Sequence, residues 1–233
     1  MNQLAETAVG EALNRVKQRI RAAESDYGRT PGSVALLAVS KTKPVAALRE
    51  AIAAGQRAFG ENYLDDALTK IEALKSENCE WHFIGAIQSN KTRQIAAHFD
   101  WVHAIDREKI ASRLASQRPD DLPPLNCCIQ LNLDDENSKA GITAAALPDL
   151  CAHLAGLPRL ALRGLMIIPA PRHTLAEQRA VFAEVHRLFS EQQALWPQMD
   201  TLSLGMTNDL EAAVAEGSTM VRIGTAIFGA RTS

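Results

Sequence analysis

Residues 34–55 read VALLAVSKTKPVAALREAIAAG. The apolar run 34–40 is continuous rather than alternating, which is the pattern of a strand buried on both faces, as in a parallel sheet. It stops at Lys41. Beyond Pro44 the apolar residues return at helical spacing, Val45, Leu48 and Ile52, and Gly55 closes the stretch. A strand followed at once by a helix is one βα unit. Seven further runs follow: 57–60 RAFG, 80–84 EWHFI, 100–105 DWVHAI, 125–133 LNCCIQLNL, 162–168 LRGLMII, 201–206 TLSLGM and 220–224 MVRIG. Helical periodicity fills most gaps, as in LAEQRAVFAEVHRLFSEQQALW after the sixth. Eight such units predict an α/β fold, a single (β/α)8 TIM-type barrel over residues 1–233. An open doubly wound sheet is the alternative, but no G-x-G-x-x-G follows the first run. After the eighth run only TAIFGARTS remains, too short for a packing helix, so an additional amphipathic helix at about residues 2–25 is expected to cover the barrel there.

The 233 residues are 46% hydrophobic, enough for a large core, and 25 Lys and Arg against 27 Asp and Glu give a net charge of −2. No basic run marks a nucleic-acid footprint. Cys79, Cys127, Cys128 and Cys151 form no C-x-x-C, and two of them are neighbours in an apolar run, which suits reduced, packed thiols. The N-terminus lacks a signal-peptide core and no segment reaches membrane-spanning length, so a soluble cytoplasmic protein is expected.

In a barrel of this type function collects at the strand C-terminal ends. There the sequence places Lys41, Glu61 with Asn62, Gln88 to Lys91, Asp106, Asn132, Pro169, Thr207 to Asp209, and Gly224 with Thr225. In TMVRIGTAIFGAR (219–231), Gly224 lets backbone approach closely, and the amides after a last strand commonly hold phosphate. Ala230 and Arg231 stand where a P-loop needs Lys and Ser or Thr, so a nucleotide reading fails. Arg222 shares the strand. A lysine nucleophile, a phosphate cradle and an arginine donor are together what pyridoxal 5′-phosphate needs. Spacing alone leaves open a solvated strand-end Lys41 and a structural Arg222.

AVSKTKP (38–44), FGENY (59–63), WHFIG with QSNK (81–85, 88–91), DENSKAGI (135–142), RGLMIIP (163–169), LSLGM (202–206) and VRIGTAIFGAR (221–231) resemble the pyridoxal phosphate homeostasis protein family. The resemblance runs from about residue 30 to the C-terminus. It implies a fold like the N-terminal domain of alanine racemase, with the cofactor held as an aldimine on Lys41. It also implies Arg222 facing the pyridine nitrogen, Ser203, Thr207, Gly224 and Thr225 at the phosphate end, and Asn62 near the ring. The chain departs from the family pattern at Ala86-Ile87, where Pro-Leu is expected, and at Thr207-Asn208, where Ser-Asp is expected. The threonine keeps the hydroxyl.

An arginine at the ring nitrogen disfavours its protonation and makes a poor electron sink. Racemases of this fold add a tyrosine base from a further β domain, and this chain ends where that domain would begin. Its two tyrosines are Tyr27 and Tyr63. The expected function is therefore cofactor holding, with effects on vitamin B6 and amino-acid pools, other B6 vitamers as ligands, transient contact with PLP-dependent apoenzymes, and a monomeric state. A single-domain racemase using Tyr63 or Lys139, or a barrel enzyme acting on a phosphorylated metabolite, are the alternatives. Lys43 and Lys91 read as solvated rim lysines, Lys139 as a secondary cofactor lysine or a solvated loop residue. His82 and His103 read as packing or hydrogen-bonding residues and Trp81 and Trp101 as packing residues, with no metal site, and Asp209 as a helix cap.

Overall fold

The computed structural model describes residues 7–134 and 140–230. Helix α1 (Ala8–Asp26) is followed by β1 (Ala35–Val39), α2 (Val45–Ala53), β2 (Ala58–Glu61), α3 (Leu64–Ala73), β3 (Glu80–Phe83), α4 (Thr92–His98) and β4 (Trp101–Ile105). Then come α5 (Glu108–Gln117), β5 (Leu125–Leu131), α6 (Leu147–Ala155), β6 (Leu160–Ile167), α7 (Leu175–Leu195), β7 (Thr201–Ser203), α8 (Leu210–Ala215), β8 (Met220–Ile223) and the single turn α9 (Thr225–Phe228). The strands pair in parallel in chain order, and β8 closes on β1. Every predicted run contains a strand.

Because α9 is one turn long, the groove between α8 and α2 falls to α1, which packs against α2, α8 and α9. Thr7 caps it, its hydroxyl accepting from Gly10 N–H, and Leu13, Val16, Ile20 and Ala23 form its buried stripe. At its C-terminal end the buried Glu24 accepts from the amides of Gly32 and Val34, fixing the turn that leads into β1.

Two cores result. Outside the strands one continuous apolar cluster joins sheet and helices; Trp81 packs there beside Phe59. Among the described residues a second, smaller apolar cluster lies inside the barrel, Leu37, Ile84 and Met220, with Val39 and Ala58 at its edge. Polar side chains share the lumen with it, including buried His82, His103, Ser203 and Arg222. Barrel interiors usually carry branched apolar layers, so this polar filling is a departure. Trp101 stacks on the His82 ring, and Arg163 lies 4.8 Å over the indole. All four cysteines are unpaired.

His103 is fully buried, and burial, with His82 and Arg222 nearby, holds its imidazole well below the ordinary value. It stays neutral in the fold while the unfolded chain protonates below about pH 6.5. Stability therefore falls as pH drops through about 6.5, by as much as about 2 kcal/mol at pH 5. The carboxylates held low, such as Glu80 and Asp200, contribute only below that window. Denaturation at neutral pH and near pH 5 should show the loss, and His103→Gln should shrink it; an unchanged pH dependence in the variant would place the effect elsewhere.

Candidate cofactor-binding site

The strand C-terminal ends enclose a cavity of about 360 Å³. Lys41, Asn62, Thr207, Arg222, Gly224 and Thr225 all line it. Ser203 does not join them. It is fully buried at the end of β7, where its hydroxyl accepts from Arg222 at 2.9 Å and its carbonyl accepts from the same guanidinium nitrogen. Its pleat points into the lumen below the rim, where Ser203 supports the arginine and stays apart from the cavity lining.

Lys41 leaves β1 through a turn that is held from both sides. Ser40 N–H donates to Gly60 carbonyl, extending the β1–β2 ladder, and Ser40 Oγ donates to Glu61 Oε1 at 2.6 Å. Thr42 has φ 63°, an uncommon conformation for a β-branched residue, and its amide donates to Asp66 Oδ2 at 3.1 Å. Lys70 joins these groups: from a fully buried position its Nζ donates to Ser40 carbonyl, Glu61 Oε1 and Asp66 Oδ2, each at 2.8 Å. Burial pushes the Glu61 carboxyl up while Lys70 and Ser40 oppose it. In sequence Lys70 is an ordinary helix lysine four residues after Asp66, a pairing that reads as surface chemistry.

Arg222 is 4% exposed, and besides Ser203 it donates to Ile167 carbonyl at 2.8 Å. Burial brings it down to about 10, so it remains a cation at neutral pH. A side chain at Gly224 would be crowded beside it: a Cβ there would stand 3.1 Å from Val39 carbonyl and 3.4 Å from Val39 Cβ. The amides of Ile227 and Phe228 donate to Gly224 carbonyl and close the single turn of α9. Thr207 is steadied from α1, whose Arg19 donates to its carbonyl and pairs with Glu211.

Other expected roles change. Lys43, predicted to be solvated, donates to the carbonyls of Gly229 and Ala230 and ties down the segment after α9. Lys91 is paired with Asp65. Asp209 takes the cap position of α8, but its carboxylate accepts from Met206 N–H and folds the preceding loop instead of capping the helix. Tyr63 is 52% exposed and lines an adjoining cavity of about 220 Å³, not the one that Lys41 lines. Lys139 lies outside the described residues.

The model of the alanine racemase N-terminal domain matches residues 12–232. The pyridoxal phosphate homeostasis protein of Escherichia coli K12 is 55% identical over 226 residues, covering 96% of this chain and 97% of that protein. The chain belongs to the pyridoxal phosphate homeostasis protein family. Among solved structures, PipY of Synechococcus elongatus PCC7942 with PLP bound superposes with a TM-score of 0.81 at 38% identity, covering 95% of this chain and all of PipY. Alanine racemase of Corynebacterium glutamicum shares the fold, with a TM-score of 0.66 at 16% identity over 62% of its own length. The family's barrel and the resemblance to the racemase N-terminal domain are thus those of this chain.

Proposed function

We propose that this chain holds pyridoxal 5′-phosphate through Lys41 and helps to maintain the cofactor and amino-acid pools of the cell, without turning over a substrate. The observation that carries this reading is the convergence of Lys41, Arg222 and the Gly224–Thr225 segment on one cavity. The donor set fits the group. Lys41 supplies the amine that condenses with an aldehyde, losing one water; Arg222 supplies a fixed donor suited to a ring nitrogen. Thr207, Gly224 and Thr225 supply a hydroxyl-bearing, closely approachable end for a phosphate. Asn62 Oδ1 is buried without a hydrogen-bond partner, an acceptor that a ring hydroxyl would satisfy. The bound structure of PipY supports the ligand, and the name of the Escherichia coli relative supports the role.

Pyridoxal phosphate supplies an electrophilic aldehyde on an electron-withdrawing ring. The chain's own residues favour retention over chemistry: Arg222 opposes ring-nitrogen protonation, and among the described residues no tyrosine lines the Lys41 cavity. Among the described residues no helix is long and apolar enough to cross a membrane. In this reading the protein works in the cytoplasm as a monomeric single barrel, accepts B6 vitamers and passes cofactor to apoenzymes by transient contact.

The test is the absorption of purified protein titrated with pyridoxal phosphate, followed by borohydride reduction and peptide mapping, with Lys41→Ala in parallel. We expect a visible band reduced onto Lys41, and at least about tenfold weaker binding in the variant, a loss of about 1.4 kcal/mol or more. No adduct, or labelling spread over surface lysines, would sink the reading. Amino-acid racemisation by the purified protein that disappears with Lys41→Ala would overturn its non-catalytic half.

A further inference from the structure

The lumen of the barrel carries a single file of polar groups that cofactor holding leaves unexplained. Glu80 opens β3 at the end opposite the cavity; its side chain is 50% exposed, and its Oε1 lies 2.7 Å from His82 Nε2. His82 Nδ1 is 2.9 Å from His103 Nε2, and His103 Nδ1 is 2.9 Å from Ser203 Oγ. Ser203 Oγ in turn accepts from Arg222. His82, His103 and Ser203 have no exposed surface. The contact between His103 on β4 and Ser203 on β7 crosses the lumen, so the file runs through the barrel from one end to the other.

The two ends decide its direction. A guanidinium only donates and an ionised carboxylate only accepts. The Glu80 carboxyl lies below its ordinary range, chiefly because of its hydrogen bond with His82. With Glu80 accepting, His82 carries its proton on Nε2 and offers the Nδ1 lone pair. His103 must then donate from Nε2, which leaves its Nδ1 to accept the Ser203 hydroxyl proton, while Ser203 accepts from Arg222. Each member donates one hydrogen bond towards Glu80, and neither imidazole is charged. The opposite direction requires a protonated Glu80 or an imidazolium at His82, which has no exposed surface, and an imidazolium at His103 would also be buried close to Arg222.

We infer that Glu80, His82, His103 and Ser203 form a positioning relay for Arg222, so that the donor presented to the ring-nitrogen end of the cavity is set by a carboxylate at the far end of the barrel. The effect on the ring rests on the proposed cofactor reading; the relay itself does not.

Two measurements separate these levels. Nitrogen-15 NMR of the histidines in cofactor-free protein at neutral pH should show His82 and His103 as neutral Nε2–H tautomers. An Nδ1–H tautomer or an imidazolium at either position would overturn the relay. In the loaded protein, Glu80→Gln and His103→Gln should shift the visible absorption maximum and change the cofactor dissociation constant by about threefold or more, the scale of one hydrogen bond. Glu80 is half-exposed, so its variant keeps the fold even where a core substitution at His103 does not. Expected tautomers together with an unshifted spectrum and a dissociation constant within about 1.5-fold would make the file structural only and overturn the inference. Absence of a Lys41 adduct in the unsubstituted chain would overturn the cofactor reading and the relay's role towards the ring, while the tautomer assignment would be decided by NMR alone.

Discussion

Replacing Gly164 with alanine is expected to remove about 4 kcal/mol or more of stability, near the extreme that single substitutions reach. A Cβ built on Gly164 falls 1.6 Å from the Thr201 carbonyl oxygen and 2.6 Å from its carbon. Both obstacles are backbone, so no rotamer change relieves the overlap. The close approach arises where β6 carries an extra residue against β5: Cys127 pairs with Leu162 and Cys128 with Gly164. On its other side Gly164 faces Thr201 of β7, a three-residue strand that is registered to β8 only through Ser203 and Met220. Pushing β7 outward therefore strains the thinnest seam of the barrel and shifts Ser203, on which Arg222 rests. Urea denaturation should show the loss, and any folded fraction should bind pyridoxal phosphate more weakly. Gly156→Ala provides the control. Its Cβ would meet nothing closer than 3.5 Å, its φ is −76°, and a change of no more than about 1 kcal/mol is expected. A loss below about 2 kcal/mol at Gly164 would show that β6 and β7 part without breaking the barrel.

The strands were legible because a parallel barrel buries them on both faces, turning each into a short, largely apolar run that ends where the polar rim begins. Lys41, Asn62, Thr207, Gly224 and Thr225 were legible for the same reason, as polar or glycine residues just past a run, and Arg222 by its parity with Gly224 on β8. Ser203 was named through the resemblance alone, and its depth below the cavity lining is not readable from its place in the run. The lumen file was invisible for a different reason. His103 and Ser203 are 100 residues apart and meet across the barrel, so no local period signals the contact. His82 and His103 consequently read as packing or hydrogen-bonding residues with no partner named. Lys43 looked solvated because its acceptors, the carbonyls of Gly229 and Ala230, lie at the other end of the chain. Lys41 was visible in the sequence as a polar residue ending the first run; the groups that hold its turn were not.

Lys70→Ala should be the second severe change, costing about 3–5 kcal/mol, because removing one partner of a buried ion pair leaves the other charge uncompensated. Glu61 has no exposed surface, and Lys70 donates to its Oε1 while the second oxygen, Oε2, lies buried without a partner. Without the ammonium the carboxylate keeps only the Ser40 hydroxyl, and Ser40 carbonyl and Asp66 lose their shared donor. The variant's stability should also acquire a pH dependence of definite sign. Burial already raises the Glu61 carboxyl, and loss of Lys70 raises it further. The folded variant then binds a proton where the unfolded chain does not, so the substitution costs least near pH 4 to 5 and more as pH rises through the folded value. Glu61→Gln added to Lys70→Ala removes the charge and should restore part of the loss at neutral pH and abolish that dependence. Denaturation of both variants at about pH 5 and pH 8 tests this directly. A Lys70→Ala cost below about 1 kcal/mol, or an equal cost at both pH values, would mean that Glu61 is solvated. If the cost is as large as expected, the turn bearing Lys41 loosens with it, and a slower reaction of Lys41 with pyridoxal phosphate should accompany the lost stability, since Ser40 and Thr42 are held by the same cluster.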